Sequence, residues 1–456
     1  MNRFIPVFVV IAIIFHSCKI GHKYVQPELH LPQTFDSTMQ KGDITRIGWG
    51  DLYKDTVLQA LIGKALAGNK DMLIAASRIR EMIYARRIAR ADLLPGIGAE
   101  AYDQKEVLDY AKASAEVRAV LTFGWELDLW GNLRWQNEAA VAAWLQTVEA
   151  QRALQLALVA QVAQTYFELK ALDRELAIVR QTLELRRKGA QMAKLRYEGG
   201  LTSEIPYRQS LVEQARTETL VPNLENRINA KENDLSVLLG EYPSGNIPRG
   251  EDIGSWQLPA TLPADLPSAL LKRRPDILAA EQQLIQANAR VGAAYTDMFP
   301  TIRLTGRYGL ENTDLTDFLK SPAWFITGTL TGPVFQMGKN KARHKASQEA
   351  YQQAVYSYRK TVLNVFKEVN NAISAFSKMH EVRQSHGALH QSAKTYHELA
   401  QLQYVNGVIG YIDLLDSQRQ LFDAEIALNM AILNEMLSMV NLYKALGGGM
   451  EQFVRK

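Results

Sequence analysis

Asp413 and Asp416 stand three residues apart in "YIDLLDSQ". That spacing places both carboxylates on one face of a helix. Repeated around an axis, such a pair attracts cations and raises some of its own pKa values. Acids at a helix N-terminus also complement the dipole, by about 0.3–1 kcal/mol. His386 and His390 lie one helical turn apart and could share a metal ion, with His397 and Met379 nearby. Two imidazoles without a third ligand bind weakly, so a solvated helix face is the expected role and no metal is assigned. His380-Glu381 and His397-Glu398 begin like a zinc-protease motif, but Gln384 and Gln401 stand where the second histidine belongs. The chain has no G-x-S-x-G, no phosphate-binding glycine loop and no dinucleotide fingerprint. No catalytic residue and no cofactor is therefore expected.

The remaining reactive residue is Cys18, the only cysteine in 456 residues. A lone thiol cannot close an intramolecular disulfide. It follows Arg3 and an uncharged run from Phe4 to Phe15. That run is too short to span a membrane, which takes about 20 residues, but fits the core of a secretory signal. Residues 1–17 are read as a signal peptide, with Ser17 at the cleavage site. The arrangement resembles a bacterial lipobox, which makes Cys18 the acylated first residue of the mature chain. His16 departs from the pattern, which prefers a small or aliphatic residue there. Lys19 follows the cysteine, not the aspartate that signals inner-membrane retention, so the outer membrane stays open.

Hydrophobic content of 47% with 22% charged residues describes a folded chain. The net charge of +4 falls to +3 without Arg3, too little to argue for nucleic acid. Beyond the signal, no stretch approaches 18 consecutive apolar residues. If the mature chain crosses a membrane, it does so with strands.

The elements that position these residues come in two copies. "DMLIAASRIREMIYARRIARADLLP" (71–95) lies over "DILAAEQQLIQANARVGAAYTDMFP" (276–300), 205 residues on. "AKLRYEGGL" (193–201) lies over "AQLQYVNGV" (400–408), and "DLWGNLR" over the segment around Gly338, both 207 residues on. Matches at nearly one offset mark a tandem duplication of whole substructures. The expected organisation is an N-terminal extended segment (18–52), a first repeat (53–240), a Pro/Gly-rich connector (241–266), a second repeat (267–446) and a tail (447–456).

Each copy has the same plan: a helix, two strands and a long helical hairpin. The strands, expected at about 95–129 and 300–336, show period-two alternation. Val117, Leu121, Phe123 and Trp125 alternate with Arg118, Thr122 and Glu126, and Ile302, Leu304 and Tyr308 with Arg303 and Arg307. One apolar face with aromatic ends suits a transmembrane barrel. Four strands cannot close one, and an open edge in lipid leaves backbone groups unsatisfied, so several chains must share it. The alternation also permits a soluble sandwich. From Asn132 to Tyr197, and again from Asn340 to Tyr404, there is no proline and one glycine. Each run would extend roughly 100 Å. Breaks at about 198–203 and 405–410 follow, and a second helix returns. In the second copy it carries Leu414, Leu421, Leu428 and Leu442 every seven residues, interrupted by Glu435. Beside them runs a row of small residues from Ser417 to Ala445, which lets neighbours approach on two sides. Pro222 interrupts the equivalent helix of the first copy.

"WELDLWG" (125–131), "LPSALLKRRPDILAAE" (266–281), "GHKYVQPELHLPQTF" (21–35) and "KALGGGM" (444–450) resemble the TolC-like outer-membrane efflux proteins, specifically the lipoprotein branch serving resistance-nodulation-division (RND) pumps. Lys70 replaces the proline usual before Asp71, and Met450 a usual aromatic residue. The resemblance implies a homotrimer. Each chain would give four strands to a 12-stranded outer-membrane β-barrel, continued by a periplasmic α-helical barrel with a mixed α/β belt. It implies a passive exit duct for drugs or small toxic compounds, working with a periplasmic adaptor and an inner-membrane RND pump. Tyr197, Gly200 and Leu201, with Tyr404, Gly407 and Val408, match the family's tip pattern, where the adaptor docks. Asp413 and Asp416 match the aspartates lining its periplasmic entrance. The first copy has Pro206 in place of Asp413, so only the second carries the pair. Protein secretion and metal-ion efflux are alternative cargoes. A non-porous coiled-coil scaffold lipoprotein is the alternative class.

Overall fold

The computed structural model of the protein describes residues 19–29, 31–32, 48–109, 112–245, 247–255, 267–313 and 317–448. The signal segment, Cys18 and Met450 lie outside them. So does 256–266, most of the second half of the connector.

The contacts divide the chain into two compact units, and each draws on both sequence repeats. The first contains Ala76–Ala150, Asp276–Thr361 and the leading segment 19–29. At its centre is one antiparallel sheet of four strands, β1 (Gly96–Asp109), β2 (Lys112–Leu127), β3 (Thr301–Asn312) and β4 (Pro322–Thr331), paired in chain order. The weakly alternating segment after Pro95 forms β1, 14 residues long. β2 of the first repeat pairs with β3 of the second, aligning Leu121 with Tyr308 and Trp125 with Leu304. β3 then aligns Tyr308 with Trp324 and Gly306 with Ile326. The pleat puts these residues and Ile97 on one face, and most of their side chains are exposed. The other face carries Thr122, Thr305, Thr327 and a charged cluster. There Arg118 lies 3.6 Å from Glu100 and 3.3 Å from Glu311, and it hydrogen-bonds Glu116. β1 and β4 are edges with no further strand among the described residues.

The leading segment is fixed to this unit side chain by side chain. The Lys19 ammonium sits 3.3 Å above the Trp135 ring and pairs with Glu138. Trp135, nearly inaccessible, donates from Nε1 to the Ile20 carbonyl at 2.7 Å. Further along, Tyr24 donates to Glu281 at 3.1 Å and Gln26 to the Tyr358 hydroxyl at 3.2 Å.

The helices are α1 (Trp49–Leu52), α2 (Thr56–Gly68), α3 (Lys70–Ala91), α4 (Asn132–Glu198), α5 (Glu204–Glu218), α6 (Leu220–Leu238), α7 (Pro267–Arg273), α8 (Pro275–Thr296), α9 (Lys339–Val405) and α10 (Tyr411–Ala445). α4 and α9 are each 67 residues long, about 100 Å at 1.5 Å per residue. Both ends of α9 lie 207 residues after those of α4. The return path is broken at Thr219 between α5 and α6 but continuous in α10. Pro222 explains the difference: it lacks an N–H, and its ring clashes with the carbonyl four residues back, at Glu218.

The second unit contains Gln151–Pro275, 362–448 and the described residues of His30–Ala75. Its core is aromatic and aliphatic. Tyr53 packs edge-on to Phe167 and Tyr443, and Leu172, Leu176, Val179 and Leu224 form a neighbouring cluster. The small residues of α10, Ser417, Ala424, Ala431, Ser438 and Ala445, are all buried, as are Leu414 and Leu442. α10 is apolar and long enough to cross a membrane by composition, but 61% of that window is buried inside the protein. Glu435 interrupts the leucine row because it is a buried ion-pair site. It is 1% exposed and accepts from Arg383 of α9 at 2.6 Å, with His380 Nδ1 at 2.6 Å from its other oxygen.

Candidate functional site

Both long helices end in the same cap. After α4, the Gly200 N–H donates to Tyr197 O and the Leu201 N–H to Arg196 O, each at 2.9 Å. After α9, Gly407 donates to Tyr404 O at 3.1 Å and Val408 to Gln403 O at 2.9 Å. This is the Schellman pattern, and it needs a left-handed residue at its penultimate position. Gly200 and Gly407 supply it, with φ of +70° and +73°. Leu201, Val405, Val408, Ile205 and Ile412 are all strongly exposed at these turns. The tips differ in their tyrosines. Tyr197 is exposed, whereas Tyr404 lies beneath the Arg196 guanidinium at 4.9 Å and edge-on to Tyr411 at 5.9 Å.

Asp413 and Asp416 are exposed on the first turns of α10. Asp413 Oδ2 accepts the Gly410 N–H at 3.1 Å, so it caps the helix it begins. Asp416 Oδ2 accepts from Gln420 at 2.7 Å and from the Tyr396 hydroxyl at 3.4 Å. Both keep carboxylate oxygens turned to solvent.

Behind the acids lies an ion network that sequence reasoning missed. Glu213 of α5, with a 3% exposed side chain, pairs with Arg186 of α4 at 3.1 Å and with Arg419 of α10. Arg216 is 3.6 Å away. Burial opposes ionisation of Glu213, yet the Arg419 hydrogen bond and the surrounding guanidinium charges hold its pKa below the usual carboxylate range. Burial lowers the pKa of Arg186, which also donates to the Glu213 carbonyl at 3.0 Å. The network ties α4, α5 and α10 together just beyond the tips. Its members come from three distant segments, and no local spacing announces them.

The histidines of α9 are occupied differently. His397 Nδ1 lies 3.1 Å from Ser417 Oγ. Burial, then the charges of Lys394 and Arg174, lower the pKa of His390. A cation shared by His386 and His390 would meet those like charges. Among the described residues, no group of three His, Cys, Asp or Glu side chains is placed to hold a metal.

The outer membrane efflux protein family model matches residues 61–241 and 266–448. The chain is 32% identical to outer membrane protein OprJ of Pseudomonas aeruginosa, covering 97% of this chain and 95% of that one. It is 29% identical to cation efflux system protein CusC of Escherichia coli, covering 97% and 98%. The crystal structure of the open state of the Neisseria gonorrhoeae MtrE outer membrane channel superposes with a TM-score of 0.89 at 29% identity, over 95% of this chain and 99% of that chain. With both repeats matched, and with the fold and the paired tips in place, the chain belongs to the outer membrane efflux protein family and is an outer-membrane efflux channel.

Proposed function

We propose that three copies of this chain form the exit duct of a tripartite pump, passively conducting drugs or other small toxic compounds outward. The carrying observation is the sheet. One face is apolar and exposed, the other is polar, and neither edge is paired with a further strand among the described residues. In hydrocarbon such edges must be paired, because each unsatisfied backbone group costs several kcal/mol. Three sheets joined edge to edge give a 12-stranded barrel with the Arg118 face inward. α4 and α9, each about 100 Å long, then extend the conduit into the periplasm.

A periplasmic adaptor docks at the two glycine tips, Tyr197-Gly200-Leu201 and Tyr404-Gly407-Val408, and an inner-membrane RND pump drives transport. Exposed aliphatic side chains at rigid, repeated turns support this reading. Asp413 and Asp416 form the periplasmic gate, where three chains bring six carboxylates to one axis. Cys18 carries the lipid anchor. Lys19, the next residue, is held against Trp135 close to the end of β2, and this supports an anchor at the membrane end of the helices.

Planar-bilayer recording on the purified protein, with heat-modifiable migration on unboiled gels, tests the duct. Conductance together with a heat-sensitive trimer is the expected result. A monomer without conductance would favour a coiled-coil scaffold instead.

A further inference from the structure

All four helix–strand junctions lie at one end of the sheet. α3 leads into β1 at Gly96, β2 leads out toward α4, α8 leads into β3 at Thr301, and β4 leads out toward α9. The register places Leu127, Ile302 and Leu330 side by side at this end. Two of the junctions are strongly basic. The last turns of α3 carry Arg86, Arg87 and Arg90. The first two turns of α9 carry Lys339, Lys341, Arg343 and Lys345, with no acid before Glu349. Arg343 reaches Asp297 at 3.5 Å, but Lys339, Lys341, Lys345, Arg87 and Arg90 meet no carboxylate among the described residues.

The duplication shows that this charge is not there to build the helix. In the first repeat, Asp128 accepts the N–H groups of Leu133 and Arg134, each at 3.1 Å, and pairs with the Arg134 side chain at 3.0 Å. The position 207 residues on is Phe335, which is 79% exposed. The second repeat thus has a phenyl ring in place of the carboxylate and four cations against the helix dipole, the unfavourable arrangement. Val334, Met337, Ile88 and Leu94 are also strongly exposed here. Cations interleaved with apolar side chains beside a lipid-facing sheet have the composition of a membrane interface. Lys339 to Lys345 span about 9 Å, comparable to a headgroup layer.

We propose that this surface binds the headgroups of anionic phospholipids, and that each site is completed between protomers. The inference rests on the trimeric-barrel reading. Closure pairs β4 of one protomer with β1 of the next, which sets α9 of one beside α3 of the other. Lys339, Lys341 and Lys345 then share a junction with the neighbour's Arg87 and Arg90. Five cations meeting at one seam repel each other unless an anion lies between them, and a phosphodiester with acyl chains satisfies the charge and the exposed apolar residues together.

Native mass spectrometry of the full-length protein in neutral detergent reads oligomer and bound lipid at once. Phosphatidylglycerol and phosphatidylcholine are offered at equal concentration, to wild type, to K339Q/K341Q/K345Q and to R87Q/R90Q. The expected result is phosphatidylglycerol retained selectively on the trimer, falling about fivefold for each cation removed in either variant while the trimer persists. A wild-type trimer retaining both lipids equally overturns the proposal, as does selectivity unchanged in both variants. Full displacement by excess inorganic phosphate would assign the site to free phosphate and overturn the lipid assignment. A monomeric wild type overturns the trimer reading, and the seam with it.

Discussion

Asn69 and Arg274 stand 205 residues apart and do the same work with different chemistry. The Asn69 amide donates to Leu238 O at 2.9 Å, and the Arg274 guanidinium donates to Ala445 O at 2.8 Å. Each holds the last turn of a returning helix, α6 or α10, against the start of a helix that leads to the sheet. The closing caps repeat as well. Gly240 and Gly447 are both left-handed, with φ of +77° and +71°. Asn69 also accepts the Asp71 N–H at 2.9 Å, replacing the proline-led start that α8 has at Pro275.

Arg274→Ala should therefore destabilise more than Asn69→Ala. A hydrogen bond from a charged donor is worth about 1.5–3 kcal/mol, whereas Asn69→Ala loses one neutral bond and an N-cap over Asp71 and Met72, each worth about 1 kcal/mol. Arg274 also pairs with Glu368 at 2.9 Å. Thermal unfolding in detergent, followed by circular dichroism, should show the larger drop in Tm for the arginine variant.

Gly407→Leu forces a branched residue into the left-handed region at an exposed tip, where a Cβ meets nothing within 4 Å. The strain stays local to the turn. Efflux in a strain lacking its own duct should be lost while the trimer level is unchanged. Full efflux would refute docking at this tip.

Asp413→Asn with Asp416→Asn should weaken block by a trivalent cation added from the periplasmic side. Asparagine at 413 can still accept the Gly410 N–H, so the helix start survives and the charge alone is tested. Single-channel titration that shows equal block in variant and wild type would remove these acids from the constriction.

Acid should loosen the tie that Glu213 makes between α4 and α10. The folded-state pKa of Glu213 is depressed, so its stabilising contribution is complete above the unfolded carboxylate value, about 4.3. That contribution is lost as pH falls through the lower folded value. Hydrogen exchange in α5 and at the start of α10 should accelerate over that window in wild type. Glu213→Gln should show the faster exchange already at neutral pH, with little further change on acidification.

Cys18→Ala should abolish acylation, and intact-mass analysis of the wild type should show the added acyl mass. A wild-type mass without it would exclude the lipid anchor.

The sequence alone determined the periodic part of this protein. Alternation at Val117–Trp125 and Ile302–Tyr308, proline-free runs of one fixed length, and glycines repeating at 207 residues are local or self-similar signals. Each follows from the period of a strand, the rise of a helix or the φ of a cap. Tertiary structure decided which charges meet. Glu435 reads as a flaw in a leucine row until Arg383 and His380 are seen to hold it, and Glu213 looks like one more surface acid until Arg186 and Arg419 close over it. Those partners lie on other helices, 52 residues away for Arg383 and 206 for Arg419. Periodicity fixes which face of a helix is buried; only packing fixes what that face is buried against, and so which carboxylates are locked, as Glu213 and Glu435 are, and which stay exposed, as Asp413 and Asp416 do.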